Sequence, residues 1–409
     1  GGHRVYSDDD IQIIKWLQAR QAEGLSISRA VDIWKSQEAA GQSPLKTSLP
    51  ELDSSKQPDP APVSQPVIPA ALPTQLESLR AEWINACMAF DGSRAYAAAN
   101  QAFALYPVET VCDGIFRQGV SEIGRLWYEG AVSVQQEHFA TALAAQRMEA
   151  LIAAAPEPTR RQTVVIGCPP GEWHTFSALF LTLMLRRRGL KVIYLDANVP
   201  LAQMEQTCAA VQPDLVILAA QQLTAAAGLR DAALLFHRLR VPLAYGGLIF
   251  NRVPEIRQAI PAHFLGEDLL QSVETVEILL HTSATFEPVA PIAEDYQRTS
   301  VLFLENRPFI EGALANMLAE QTLRIEPLAR INGYFAEGLS AALALGNLDY
   351  LSHDLEWVRD LIRAHQFTPV SLKAYLQAYR LAVQTVLGDS GALITRCMGE
   401  RLDTPTRLA

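Results

Sequence analysis

The spacing of apolar positions changes twice along the chain. Between Leu76 and Ala155 they recur every three or four residues in an alanine-rich background. That spacing predicts helices near 76–90, 92–105, 107–127 and 135–154, the third broken after Trp127 by Tyr128-Glu129-Gly130. Consecutive helices of this kind form a four-helix bundle. From Gln162 the pattern switches to short, continuous apolar runs at Thr163–Cys168, Lys191–Leu195, Leu215–Ala220 and Val241–Tyr245. Helical stretches at His174–Arg188, Leu201–Val211 and Ala225–Leu239 separate them, and a shorter unit ends with Leu269–Leu280. Apolar strands alternating with helices predict a parallel sheet buried on both faces. Such sheets bind ligands at the carboxyl ends of their strands, beside a topological switch point. The loops Pro169–Phe176, Gln221–Ala226 and Gly246–Phe250 are therefore the candidate site. Further on, the spacing is helical again, near 308–325, 327–345, 347–364, 369–387 and 389–401.

Two stretches interrupt these patterns. Eight prolines mixed with Ser, Gln and Ala lie between Gly41 and Gln75, a composition that reads as an extended linker. A second linker follows Thr282, with Pro288 and Pro291. Ahead of the first lies a short module. Ser7 caps a helix with Asp8, Asp9 and Asp10 in its first turn and a stripe of Ile11, Ile14 and Leu17 with Trp16, and a second helix carries Ile27, Ala30, Val31 and Trp34. The expected organisation is an N-terminal module (1–40), a linker (41–75), a bundle (76–158), a sheet domain (159–282), a linker (283–298) and a helical domain (299–409).

Composition narrows the function. The chain has 409 residues, 49% of them hydrophobic, enough for more than one buried core. No apolar run approaches the ~18 residues of a membrane span, and the opening residues do not read as an export leader. Five scattered cysteines without a C-x-x-C argue against a disulfide framework or a zinc site and fit a reducing, cytoplasmic setting. A net charge of −10 argues against broad charge-driven binding to nucleic acid.

The loop after the first strand reads Gly167-Cys168-Pro169-Pro170-Gly171-Glu172-Trp173-His174-Thr175-Phe176-Ser177. Prolines and a bulky Trp173 replace the glycines that a dinucleotide site needs. Ala219-Ala220-Gln221 stands where a receiver domain would carry its phosphate-accepting Asp. Glu172-x-His174 is different: a histidine at the mouth of a parallel sheet can ligate a metal through one nitrogen while a carboxylate holds the other. The competing reading makes His174 a polar neighbour of a helix cap. Three further groups stand out: Gly246-Gly247 after Tyr245 on the fourth strand, Ala219-Ala220-Gln221 after the third, and Trp127, Val134, Glu137 and His138 in the bundle.

With these motifs, residues 76 to 282 resemble the cobalamin-binding module of the light-sensing CarH-type regulators and of methionine synthase. The family's D-x-H-x-x-G appears as Glu172-x-His174-x-x-Ser177, with serine in place of glycine. Its S-x-L is degenerate at Ala219-Ala220-Gln221, and its G-G is matched by Gly246-Gly247. The CarH-type W-x6-V-x2-E-H is matched by Trp127, Val134, Glu137 and His138. The resemblance implies a helical cap over a flavodoxin-like domain. It implies adenosylcobalamin with His174 as the lower ligand of cobalt and the cap residues around the adenosyl group. Glu172, Trp173, Thr175, Ser177, Gln221, Tyr245, Gly246 and Gly247 are the other expected cofactor contacts. It further implies a light-dependent homo-oligomer that regulates transcription and is not an enzyme. The residue after the tryptophan, a second cobalt ligand in the CarH type, is Tyr128 here, a poorer ligand at neutral pH.

Both ends carry weaker resemblances. Gly1-Gly2-His3-Arg4 through Ile11 resembles the wing and following helices of a MerR-type domain, with His3 and Arg4 as phosphate contacts and the DNA-reading helix-turn-helix missing. The C-terminal helices resemble the bilin-binding domain of photocobilins, which implies biliverdin held by His353, Asp354, Trp357, His365, Tyr375 and Tyr379. A dimerisation domain with those aromatics as core is the alternative. Two other functions share the module: a corrinoid methyl-carrier, and a scaffold that has lost its cofactor.

Overall fold

The computed structural model of the chain describes residues 74–282, 291–319, 325–352 and 372–402. The N-terminal module with His3 and Arg4, most of the proline-rich linker, and His353, Asp354, Trp357 and His365 lie outside the described residues.

The bundle opens with α1 (Gln75–Met88), whose Thr74 and Glu77 form a reciprocal capping box, and α2 (Gly92–Leu105), capped by Asp91. The third helix is compound. A short α3 (Val108–Val111) passes through a π-helical stretch, Cys112–Arg117, into α4 (Gln118–Tyr128). The wider turn leaves the Gly114 carbonyl to the Arg80 guanidinium, which donates to it at 3.1 Å and to Gln118 at 2.6 Å. No periodicity signals such a stretch, and none was expected. α5 (Val134–Ala153) closes the bundle around Trp83, Ile115, Phe116 and Ile123.

The sheet contains β1 (Thr163–Gly167), β2 (Lys191–Tyr194), β3 (Leu215–Ala219), β4 (Leu243–Gly246) and β5 (His263–Phe264). All pairs are parallel and the order is β2-β1-β3-β4-β5. This is the flavodoxin-like arrangement. The chain turns one way from β1 to β2 and the other way from β3 onward, so the switch point lies at the carboxyl ends of β1 and β3.

Two continuous cores flank the sheet. On one face Val164, Ile166, Leu215, Ile217 and Ala244 meet α6 (Phe176–Arg187), and α5 of the bundle packs on α6. Arg187 of α6 pairs with Glu109 of the bundle at 2.6 Å. On the other face Val165, Val216, Leu218 and Tyr245 meet α8 (Leu223–Leu239). The short helices α7 (Met204–Val211) and α9 (Leu248–Arg252) and a 3-10 turn, Pro254–Ala259, follow β2 and β4, and α10 (Leu269–His281) ends the unit.

The C-terminal region holds α11 (Glu294–Ala319), α12 (Ile325–Ala344), α13 (Leu372–Leu387) and α14 (Ala392–Leu402). α12 packs on α8, and the Tyr350 hydroxyl donates to the Glu255 carbonyl at 3.3 Å, so this region shares the second core. α11 corrects the expected helix at 308–325: it begins at Glu294, inside the stretch expected as linker to 298. Pro308 reads in sequence as a helix start, yet it lies mid-helix on an exposed face, where water can serve the carbonyl that its missing N–H leaves free.

Candidate functional site

The loop after β1 is tied down before it reaches the histidine. The Cys168 amide donates to the Asp196 carbonyl at 3.0 Å, and the Val199 amide to the Cys168 carbonyl at 2.9 Å. Burial pushes the Cys168 thiol up to about 12, so it is not a reactive thiolate. The expected helix at His174–Arg188 begins at Phe176, which leaves His174 on the loop itself. Ser177 stands half-buried in the first turn of α6, and half-buried Thr175 precedes it.

Glu172 is completely buried, and its carboxylate is the hub of the loop. One oxygen accepts the His174 backbone amide at 2.8 Å and Nδ1 of its ring at 2.7 Å. The other accepts the Gln221 backbone amide from the end of β3 at 2.5 Å. Burial works to raise the Glu172 pKa, but the bonds from the His174 ring and from the Gln221 and His174 amides hold it below the usual carboxylate range. His174 is shifted upward, first by its bond to Glu172 and then by the charges of Glu172 and, from the bundle, Glu137, while burial opposes them. With Nδ1 occupied, the tautomer is fixed and Nε2 carries the lone pair on a side chain that is 60% exposed. That arrangement suits a single imidazole ligand for a metal.

The residues expected from the bundle lie where its last two helices meet. α4 ends in a Schellman closure, with Gly130 N–H bonded to the Trp127 carbonyl at 2.9 Å and Ala131 N–H to the Leu126 carbonyl at 2.8 Å. Ser133 and Gln136 cap the next helix reciprocally, which places Val134 and Glu137 in its first turn and His138 directly after it. Glu137 accepts from the Thr141 hydroxyl at 2.8 Å and lies 2.7 Å from Nδ1 of His138. Trp127, Tyr128 and Val134 on the bundle, and Trp173 and Leu248 on the sheet domain, are all exposed large apolar groups. Trp173 is the most open of them, at 69%. Apolar groups left bare beside a polar loop are what a large, flat ligand covers.

The carboxyl ends of β3 and β4 meet closely. Gly247 has φ +127°, and a Cβ there would come within 1.8 Å of the Ala220 carbonyl oxygen. Only glycine fits, so this residue is set by the protein's own packing, whereas a Cβ at Gly246 would meet only the Leu265 Cβ, at an ordinary 4.0 Å. The Gln221 carboxamide oxygen accepts the Leu248 amide at 3.0 Å, while its nitrogen is buried with no hydrogen-bond partner. An orphaned buried donor beside Glu172 fits an acceptor brought by a ligand. Tyr245, expected as a contact, faces away from this loop. It is buried in the second core against Phe250 and Phe264, because β4 alternates and residue 245 points to the α8 side.

In the C-terminal region Tyr375 and Tyr379 are also core residues. Both stand edge-on to Phe335, and the Tyr375 hydroxyl bonds the Asn332 side chain at 3.0 Å. The sequence reading missed Asn198, whose side chain and amide both hold the histidine loop. An asparagine four residues past a strand carries no signal of its own.

Residues 79–152 and 162–272 each match a family described as the B12 binding domain. The chain is 26% identical to the HTH-type transcriptional repressor CarH of Myxococcus xanthus over 65% of its own length and 84% of the relative's. It is 27% identical to the repressor CarA of the same organism, over 53% of this chain and 63% of that one. These matches uphold the resemblance to CarH-type regulators. Among solved structures, the monomethylamine corrinoid protein of Methanosarcina barkeri aligns with 49% of this chain and 96% of its own, at 16% identity and a TM-score of 0.42. Among the described residues no helix is long and apolar enough to cross a membrane.

Proposed function

We propose that this chain is the sensory part of a light-responsive, B12-dependent transcription regulator, with adenosylcobalamin as its chromophore. The observation that carries the reading is the exposed His174 imidazole, oriented by a fully buried glutamate at the switch point of the sheet.

The residues fit the group. His174 offers one neutral nitrogen to cobalt, the apolar surfaces of Trp127, Val134 and Trp173 suit a corrin and its adenosyl group, and the orphaned Gln221 nitrogen suits an acceptor on the nucleotide tail. When bound, adenosylcobalamin supplies a weak cobalt–carbon bond that visible light breaks. The chain's own part is to tell two states apart. Trp127, Val134, Glu137 and His138 belong to the bundle and His174 to the sheet domain, so a ligand spanning both biases how the two pack. Trp127, exposed on the bundle, would lose an apolar partner if the adenosyl group left, which would bias how the bundle packs on α6 and how protomers associate. The similarity to the repressors CarH and CarA supports transcription control, with DNA as the partner. A bilin is not part of this proposal, because Tyr375 and Tyr379 serve as core residues.

The test is protein reconstituted with adenosylcobalamin in the dark, followed by absorption and light-scattering mass before and after green light. A changed spectrum with a changed mass is the expected result. An unchanged spectrum and mass overturns the light-sensing part. Transfer of a methyl group from bound methylcobalamin to a thiol would favour a methyl-carrier instead.

A further inference from the structure

The loop that presents His174 is held by Asn198, from the segment that follows β2. Asn198 lies past β2 in the left-handed region, at φ +49°, a conformation that asparagine tolerates better than most residues. Its carboxamide oxygen accepts the Gly171 amide at 2.9 Å, and its own amide donates to the Glu172 carbonyl at 2.8 Å. Gly171 is itself left-handed, at φ +85°, and a Cβ built there would meet nothing within 4 Å. That residue is therefore fixed by hydrogen bonds and not by packing. Directly after it come Glu172 and His174.

We infer that Asn198 is a positioning residue for the imidazole at 174, acting through Gly171 and Glu172 to hold Nε2 where a corrinoid metal can reach it. This rests on the proposed cobalamin site. Two properties of asparagine are used together: tolerance of positive φ, and an acceptor of the right length. Substitutions separate them. Asn198→Gly keeps the backbone and removes the acceptor, and Asn198→Asp keeps both.

Two measurements on the full chain test the inference. In cofactor-free protein, amide exchange at Gly171 is expected to speed up by roughly three- to tenfold in Asn198→Gly, the size of one lost hydrogen bond, and to return close to the parent's rate in Asn198→Asp. With cob(II)alamin bound, the fraction of cobalt whose electron-spin resonance shows a histidine nitrogen is expected to fall in Asn198→Gly and recover in Asn198→Asp. An Asn198→Gly variant that matches the parent in both readings overturns the inference, as does an Asn198→Asp variant that behaves like Asn198→Gly. His174→Ala runs beside them. If it retains the parent's nitrogen signature, the axial-histidine reading fails, while the Gly171 exchange rate still decides whether Asn198 tethers the loop.

Discussion

Nδ1 of His174 lies 2.7 Å from a Glu172 carboxylate oxygen, and the two groups differ sharply in setting: the glutamate is fully buried, the histidine largely open. The buried partner orients the open one. The pair also makes stability depend on pH. His174 is raised from its ordinary value near 6.5, so its contribution is whole below that pH and is lost as pH rises through the folded value. Glu172 is lowered from near 4.5, so its contribution is whole above that pH and is lost as pH falls through the folded value. Melting of cofactor-free parent and Glu172→Gln across pH 4 to 9 should therefore show the largest pH-dependent difference between about 4.5 and 6.5. In the same variant the His174 ring, followed by NMR, should titrate lower than in the parent.

Gly247→Ala should be severely destabilising. The new Cβ would sit 1.8 Å from the Ala220 carbonyl oxygen, at a φ of +127° that alanine avoids. Both β3 and β4 must shift, and a loss of ~3 kcal/mol or more in denaturant unfolding is the expected outcome.

Gly228→Ala should act more locally. Its Cβ would meet the Pro170 carbonyl oxygen at 2.8 Å, so α8 would push on the loop that carries His174. We expect a cost of ~1–2 kcal/mol in stability, and cobalamin affinity reduced further than Ala225→Gly, on the same helix, reduces it. Equilibrium dialysis with cobalamin measures the second effect.

Ser133→Ala removes the cap that starts α5 and sets Val134 and Glu137 in its first turn, with His138 directly after. A loss of ~1 kcal/mol in thermal unfolding is expected. The helix should fray at the residues proposed to cover the adenosyl group.

Much of this was legible in the sequence because the signals were periodic. β1, β2 and β3 were expected within one residue of where they lie; β1 and β3, buried on both faces, read as unbroken apolar runs, and the half-buried edge strand β2 reads the same way after its exposed Lys191. The Glu172-x-His174 pair was legible because a carboxylate beside a histidine at the mouth of a parallel sheet can hold one ring nitrogen and leave the other free. Other features were not. The π-helical Cys112–Arg117 has the same composition as the helices around it. α11 was expected fourteen residues too late, because Pro308 reads as a start and its exposure cannot be seen in sequence. Tyr245 was placed at the site through its neighbours Gly246 and Gly247, whereas strand alternation sends it to the opposite core. Asn198 acts through a hydrogen bond to Gly171, 27 residues earlier, which no local pattern encodes.

The most direct test of the central assignment uses the nitrogen isotope. Protein carrying nitrogen-15 in its histidine rings only is loaded with unlabelled cob(II)alamin, and the electron-spin resonance of cobalt is recorded. If His174 holds the metal, each cobalt line splits into a doublet, which Glu172→Gln weakens and His174→Ala abolishes. A triplet, the signature of the cofactor's own unlabelled base still beneath the metal, would contradict the account.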